Sequence, residues 1–519
     1  MILSDILAHH GDRYRRKMAV ISGKTRLSYG ALHTRVLRLA SALRALGLSK
    51  GDRVGILSTN RGEYIECVFA LAEAGLVWVP LNYRLTATEV GFIINDAGCA
   101  ALIYSDDLNG IAGALASLVP TVRAWVAIGR SPKQGVLNYE DIISDGRAVR
   151  NVDCPDESDL VAIMYTSGTT GHPKGAMLTH KQLISGMSYT ALASGASADD
   201  ISLQVIPQFH AGGNMAQMAE ILVGATTVVA PRFDPELIIS LIEEERANFV
   251  CLVPSMLVFL LECPALTAQR VSSMRRVMYG GSAISPDRLT RALEIFRADF
   301  QQVYGQTEAC VFATMMSGED HRAGLQPGQM ELLLSCGRET LGYTVRIVNE
   351  EDQDLPANEI GELVVRGDSV MQGYWNLTGA TANTLRNGWL HTGDLGYRDK
   401  DNYLYIIDRK IDLIVSGGEN VYPVEVENTI SAHPKVLEVA VIGVPDPAWG
   451  EAVKAIIVTR KGAQLSEADI IEFCRGKIAR FKTPKSIEFS SSLPRTASGK
   501  LMKTELRKAY WLDKPRRIN

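Results

Sequence analysis

The chain has no two cysteines at the short spacing that a zinc site or a dithiol centre uses. Its eight cysteines (Cys67, Cys99, Cys154, Cys251, Cys263, Cys310, Cys336 and Cys474) are scattered singly. They read as buried thiols in a reducing compartment rather than as a disulfide framework. A marked charge excess is also missing: 54 Lys and Arg face 58 Asp and Glu, a net charge of −4. That excludes the basic footprint of a nucleic-acid-binding protein. Apolar stretches such as 68–79 are interrupted or too short to span a bilayer. Residues 1–17, with His9, His10, Asp12 and Arg13, lack the apolar core of a signal peptide, so a cytoplasmic protein is expected. There is no 20–50-residue repeat, no low-complexity segment and no Walker A pattern.

What is present is ordinary globular composition, 46% hydrophobic and 22% charged, over 519 residues. That length suggests two to four domains. The near-neutral total hides a split. From Lys410 to Asn519 there are 18 Lys and Arg against 13 Asp and Glu, while the first 409 residues carry 36 against 45. A basic module beside an acidic body hints at an anionic ligand on the C-terminal piece. Residues 30–46 read as an amphipathic helix on Leu32, Val36, Leu39, Leu43 and Leu46, ended by Gly47. Short apolar runs at 54–57, 77–79, 101–104, 161–165, 202–206, 227–230, 249–253 and 276–279 read as buried strands. Helical stretches between them include 67–74, 235–245 and 286–297. This alternation predicts an α/β fold: a large N-terminal body of several subdomains, its parallel-rich sheets flanked by helices. After about residue 394 the texture changes. Helices near 424–432 and 466–479 and strands near 436–442, 455–459 and 486–489 predict a small, mobile α+β domain. The expected units are 1–409 and 410–519.

The strongest single signal is Thr166-Ser167-Gly168-Thr169-Thr170-Gly171-His172-Pro173-Lys174-Gly175, which follows an apolar strand and is expected to lead into a helix near Lys181. Three glycines let backbone N–H groups approach an anion. The hydroxyls add donors, and Lys174 adds a point charge suited to phosphate. A flexible linker is the alternative, but linkers rarely follow a buried strand with a lysine at the tip.

This loop resembles the phosphate loop of the adenylate-forming superfamily, which includes acyl- and aryl-CoA synthetases, luciferases and peptide-synthetase adenylation domains. Further runs follow in that family's order: Pro207-Gln208-Phe209-His210, Tyr304-Gly305-Gln306-Thr307-Glu308, Trp389-Leu390-His391-Thr392-Gly393-Asp394, Asp408-Arg409-Lys410 and Pro494-Arg495-Thr496-Ala497-Ser498-Gly499-Lys500. The resemblance implies that a carboxylic acid and ATP give an acyl-adenylate and pyrophosphate, with Mg²⁺ assisting. It makes Glu308 and Thr169 metal-side residues, Thr307 a phosphate contact and Lys500 the lysine between carboxylate and α-phosphate. It places Tyr304 on adenine, beside Gly280, Gly281, Ser282 and Ala283. Asp394 binds the ribose hydroxyls, Arg409 lies near ribose and phosphate, and Gln302, Gly305 and Ile406 complete the nucleotide site. His210 lies by the acyl carboxylate; His172, His180 and His391 read as structural or capping. The acyl pocket is expected to include Phe209, Gly213, Asn214, Gly280 and Cys310, with Gly212, Gly213, Gly280 and Gly281 leaving room.

In CoA ligases of this family the C-terminal domain turns about a hinge two residues after the arginine, here Ile411 where Asp or Lys is usual. Ser416-Gly417-Gly418-Glu419-Asn420 then lines the pantetheine path. Trp449 and Phe481 fall where related ligases pack the CoA adenine, and Lys482 and Lys485 are implied to face its 3′-phosphate. Three readings stay open: an acyl- or aryl-CoA synthetase, a stand-alone enzyme loading a carrier protein, and a nucleotide-binding homologue without activity. The short stretch after Lys500 disfavours a fused carrier domain, and His210-Ala211, without an ammonium-binding aspartate, disfavours amino acids. With no cation awaiting a second carboxylate, a medium- or long-chain fatty or other aliphatic acid is expected, with an aryl acid as the alternative. Small-molecule substrates and no membrane span are expected; many relatives are dimers.

Overall fold

The computed structural model describes all residues except 131–133, 151–154, 167–172, 282, 283, 285, 311, 410, 411, 418, 448, 476, 496–500 and 512–519. Among the described residues the strands form four sheets. The first has a parallel centre of Met18–Ser22, Thr226–Val229, Ile201–Gln204, Phe249–Leu252, Arg276–Gly280 and Asp299–Tyr304, with antiparallel edges. The second is parallel through Leu137–Asn138, Ala124–Ile128, Cys99–Ser105, Arg53–Leu57, Val77–Leu81 and Leu160–Thr166. It ends in the antiparallel strands Lys174–Thr179 and Gly373–Tyr374. Val77–Leu81, Cys99–Ser105 and Phe249–Leu252 are buried at every residue, as strands covered by helices on both faces must be. One core, continuous from Leu3 to Leu404, joins these two sheets.

A third, antiparallel sheet holds Tyr343–Val348, Gly361–Gly367, Trp389–Arg398 and Leu404–Arg409. The fourth belongs to a separate small α+β domain: Ile414–Ser416, Glu419–Val421, Val436–Asp446, Gly450–Thr459 and Ser486–Phe489, with helices Pro423–Ser431, Glu467–Cys474 and Lys503–Trp511. Its core, built on Ile414, Val426, Val441, Val453 and Ile470, is its own. It touches the body where Arg288 donates to the Leu437 carbonyl (2.5 Å) and Arg460 pairs with Glu262 (3.1 Å).

Helix 235–245 matches its expected bounds, and most buried strands match within two residues. A helix begins at His180, as expected near Lys181, but a strand not expected from the sequence, Lys174–Thr179, comes first and pairs antiparallel with Leu160–Thr166, with Tyr165 opposite Gly175 and Thr166 opposite Lys174. Helix His180–Ser194 begins only after the second strand, where Thr179 caps it reciprocally with Gln182. Predicted helix 466–479 stops at Cys474, and a 3-10 turn at Arg480–Lys482 follows. Cys67, Cys99, Cys251, Cys310, Cys336 and Cys474 are buried free thiols. Burial pushes Cys99, Cys251, Cys310 and Cys336 up to about 12, which keeps them inert. No helix among the described residues is long and apolar enough to cross a membrane.

A buried charge cluster ties the first sheet to its helices. Arg276 sits over the Phe249 ring (4.6 Å) and pairs with Asp200 and with Glu220 (3.2 Å). Burial raises the Glu220 carboxyl to about 7; Arg276 opposes the shift and Asp200 adds to it. Above pH 4.5 the folded state therefore holds a proton that the unfolded state has lost, and stability falls with rising pH until about 7. Glu220→Gln is expected to remove that component, worth roughly 3 kcal/mol. The melting-temperature gap over wild type should widen between pH 5 and pH 8; a gap independent of pH would contradict the assignment.

Candidate active site

The turn after strand Asp299–Tyr304 carries the sequence's central constellation. Tyr304 ends the strand, and Thr307–Ala309 forms one 3-10 turn. Two segments pin this turn: Met371 N–H, just before strand Gly373–Tyr374, donates to the Glu308 carbonyl (2.8 Å), and the Tyr343 hydroxyl of the third sheet donates to the Ala309 carbonyl (2.8 Å). Cys310 follows with a left-handed backbone, φ 54°. The turn is thereby held from below, with its carboxylate facing the phosphate-loop hairpin.

Glu308 meets that hairpin directly. Thr166 Oγ1 lies 3.4 Å from Glu308 Oε1, and the Tyr374 hydroxyl donates to the same oxygen at 2.9 Å. Lys174 Nζ stands 5.1 Å from the centre of the Tyr374 ring. No acidic side chain among the described residues pairs with Lys174, so its charge is available to an anion. A hard carboxylate oxygen beside a phosphate loop is a donor suited to Mg²⁺, which takes one or two carboxylates and fills its shell with phosphates and water. Among the described residues no cluster of three or more acidic, His or Cys ligands forms.

The nucleoside side is equally compact. The Tyr304 hydroxyl donates to Asp394 Oδ2 (2.8 Å), and Arg409 Nε lies 3.4 Å from Asp394 Oδ1. Asp394 and Arg409 are cross-strand partners in the third sheet. Asp394 is 7% exposed, and its backbone N–H donates to Thr392 Oγ1 (3.1 Å). Burial, with Asp394 beside it, holds the Tyr304 phenol well above its usual range, so it remains a donor. Gln302 accepts from the Tyr279 hydroxyl (3.1 Å), and Ile406 faces Gly396 in the adjoining pair of strands.

On the acyl side, His210 caps helix Ala211–Val223: its Nδ1 accepts from Gly212 N–H (3.2 Å). Phe209 packs edge-on against Tyr83 (5.3 Å). Cys310 Sγ lies 3.9 Å from Met215 Sδ, and Gly186 closes over it from the neighbouring helix. Asn214 is buried, donates to the Gln208 carbonyl (3.3 Å), and leaves Oδ1 without a partner.

The expectation that the glycines leave room needs correcting at two positions. A Cβ on Gly213 would lie 2.6 Å from Ile206, and one on Gly280 would run into the Val303 carbonyl. Gly213 is closed by Ile206, just past strand Ile201–Gln204, and Gly280 by the neighbouring strand Asp299–Tyr304, so both glycines serve packing. At Gly212 the nearest atom to a Cβ would be His210 Nδ1 at 3.6 Å, so space remains there. Gly281 has φ 90°, which only glycine adopts readily.

In the small domain Gly417 (φ 63°) donates to the Trp449 carbonyl (2.8 Å), and a Cβ there would lie 2.5 Å from the indole. Lys485 Nζ stands 5.5 Å from that indole, which is half exposed. Phe481 is exposed beside Lys482, but Lys482 is not a free cation: it pairs with Glu425 at 2.7 Å. Its expected role toward a phosphate is thus weakened by a carboxylate that sequence spacing did not reveal. Ser167, Gly168, Thr169, Thr170, His172, Ser282, Ala283, Ile411, Gly418 and Lys500 lie outside the described residues. The flanks of the Lys500 loop are fixed: Arg495 pairs with Glu438 (2.6 Å), Lys503 with Glu427 (2.9 Å), and Arg507 with Asp412. Asp408 accepts from Arg409 and Val424 N–H groups (2.8 and 3.2 Å). Burial raises it to about 6, with Lys503 opposing and Glu427 and Asp412 adding to the shift.

Sequence reasoning missed Tyr374, Tyr343 and Thr166's contact with Glu308. Each acts across strands distant in sequence, and Gly373-Tyr374-Trp375 shows no spacing that marks it.

The model of the AMP-binding enzyme matches residues 7–375, and that of the AMP-binding enzyme C-terminal domain matches 425–500. A feruloyl-CoA synthase of Amycolatopsis sp is 37% identical over 95% of this chain and 96% of its own length. A fatty acid–[acyl-carrier-protein] ligase of Streptomyces coeruleorubidus is 36% identical over 98% and 96%. Among solved structures, the anthranilate CoA ligase AuaEII in complex with anthranoyl-AMP superimposes with a TM-score of 0.91. It is 27% identical and covers 99% of this chain and 98% of that one.

Proposed function

The chain belongs to the AMP-binding enzyme family and is an AMP-forming acid–CoA ligase, and from that premise we propose that it activates a hydrophobic monocarboxylic acid. The first reading of the substrate is a medium- or long-chain aliphatic acid. The observations that carry the reaction are two local clusters: Thr166 and Glu308 beside Lys174, and Tyr304 and Arg409 on Asp394. An ammonium and a carboxylate sit where two anions must approach, and a paired acceptor sits where a vicinal diol binds.

In this reading Lys174 contacts the phosphates, and Asp394 takes the ribose hydroxyls while Tyr304 packs the adenine. Lys500, carried on the small domain, reaches the carboxylate and the α-phosphate. Magnesium, when bound by Glu308 and Thr169 with the phosphates, neutralises their charge. The domain boundary falls between Arg409 and residue 410, so that a turn of residues 410–519 exchanges the Lys500 loop for the Gly417 face. CoA then passes Gly417, with Trp449 and Lys485 as its outer contacts.

The acyl lining of Met215 and Cys310 is soft and apolar, which suits a flexible chain. An aryl acid is the second reading, favoured by the Phe209–Tyr83 pair, which offers a ring edge to a planar substrate. A panel of C8–C16 acids against benzoates and cinnamates decides between them, read as CoA-dependent AMP release beside ATP–pyrophosphate exchange. Exchange without CoA-dependent release would point to a carrier protein as acceptor instead. Within the same assay, Lys485→Ala is expected to raise the KM for CoA about tenfold and leave that for ATP unchanged. Lys482→Ala should do less, because Glu425 already pairs with it. An unchanged CoA KM in the Lys485 variant sinks this contact.

A further inference from the structure

The geometry points to Tyr374 as a positioning residue that fixes which oxygen of Glu308 is offered to the magnesium–nucleotide complex. A carboxylate end turns readily and presents either oxygen. Here the Tyr374 hydroxyl donates to Oε1 at 2.9 Å, and Thr166 Oγ1, shared at 3.4 Å with the Lys174 carbonyl, lies 3.4 Å from the same oxygen. Among the described residues none donates to Oε2. The twofold ambiguity is broken, and Oε2 is the oxygen left for a cation.

The same ring supports the phosphate-loop lysine, whose Nζ stands 5.1 Å from its centroid, within cation–π range. Tyr374 thus places the positive and the negative group of the phosphate side with one side chain. Its own position is over-determined. It is 7% exposed, its backbone pairs with Ala176 just beyond the loop, and its N–H donates to Thr381 Oγ1 (2.8 Å). Gly373 permits this close approach: with φ 145°, a Cβ there would lie 2.6 Å from Thr381. Three residues earlier, Met371 N–H holds the Glu308 carbonyl, so one short segment grips both the backbone and the side chain of Glu308.

This rests on the reading of Glu308 as the metal-side carboxylate. The test is calorimetric binding of a non-hydrolysable ATP analogue with and without Mg²⁺. Wild type is expected to bind more tightly with Mg²⁺. Tyr374→Phe keeps the ring and loses the hydroxyl. It should lose about tenfold of that gain and keep its Mg²⁺-free affinity, while half-saturation of ATP–pyrophosphate exchange by Mg²⁺ shifts about tenfold upward. Thr166→Val removes the longer, shared hydroxyl contact and should shift the same quantity in the same direction by less, so a poorly folding tyrosine variant does not end the test. Tyr374→Leu should additionally weaken Mg²⁺-free binding several-fold, because Lys174 loses its support. A full Mg²⁺ gain in both Tyr374→Phe and Thr166→Val, or equal losses with and without Mg²⁺, overturns the proposal. A wild type that gains nothing from Mg²⁺ overturns the reading of Glu308 itself.

Discussion

Lys500→Ala should form acyl-adenylate about a thousandfold more slowly than wild type, yet convert supplied acyl-adenylate and CoA to thioester at close to the normal rate. Loss of one preorganised charge from a developing anionic transition state commonly costs two to three orders of magnitude, and this lysine is assigned to two anions at once. Its flanks show why a substitution there should stay local. Arg495 bridges to Leu501 across the loop, and Met502 N–H donates to the Pro494 carbonyl (2.9 Å). The ion pairs of Arg495 and Lys503 then tie both stems to strand Val436–Asp446 and helix Pro423–Ser431. Removing the side chain at position 500 leaves those anchors in place. Measuring the two half-reactions separately checks the assignment; equal losses in both would count against it.

Asp394→Ala is expected to raise the dissociation constant for ATP about a hundredfold. The carboxylate is the shared partner of Tyr304 and Arg409, so its loss strands a buried phenol as well as removing the acceptor for a diol. The diagnostic comparison is 2′- and 3′-deoxy-ATP. Wild type should reject them relative to ATP, and the variant should barely discriminate. A variant that still discriminates would show that the ribose is read elsewhere. The KM for the acid should change little, since the residues assigned to the acyl group are distinct from the Asp394 cluster.

Much of this was legible in the sequence because it is local. Buried parallel strands are continuous apolar runs, and helix 235–245 announces itself with Asp234 and Pro235. The family motifs named six residues that the structure pairs locally: Thr166 with Glu308 beside Lys174, and Tyr304 and Arg409 with Asp394. What escaped is what depends on partners far along the chain. Strand Lys174–Thr179 is short and opens with Lys-Gly, so only its pairing with Leu160–Thr166 reveals it. Tyr374 reaches Glu308 across 66 residues, and Glu425 neutralises Lys482 across 57. Gly213 and Gly280 illustrate the converse: glycine in a motif was read as space for substrate, where Ile206 and the Val303 carbonyl already fill the room a side chain would need.

The pairing of Asp394 with Arg409 has one more consequence. The next residue back, Asp408, accepts from Val424 N–H at the start of the small domain's first helix. On the proposed reading, adjacent residues of one strand therefore answer to two clients, the ribose on one side and the orientation of the small domain on the other. By thermodynamic reciprocity, whatever favours one orientation tightens or loosens nucleotide by the same factor that nucleotide biases the orientation. Nucleotide affinity and the orientation of the small domain would then be linked through this one strand.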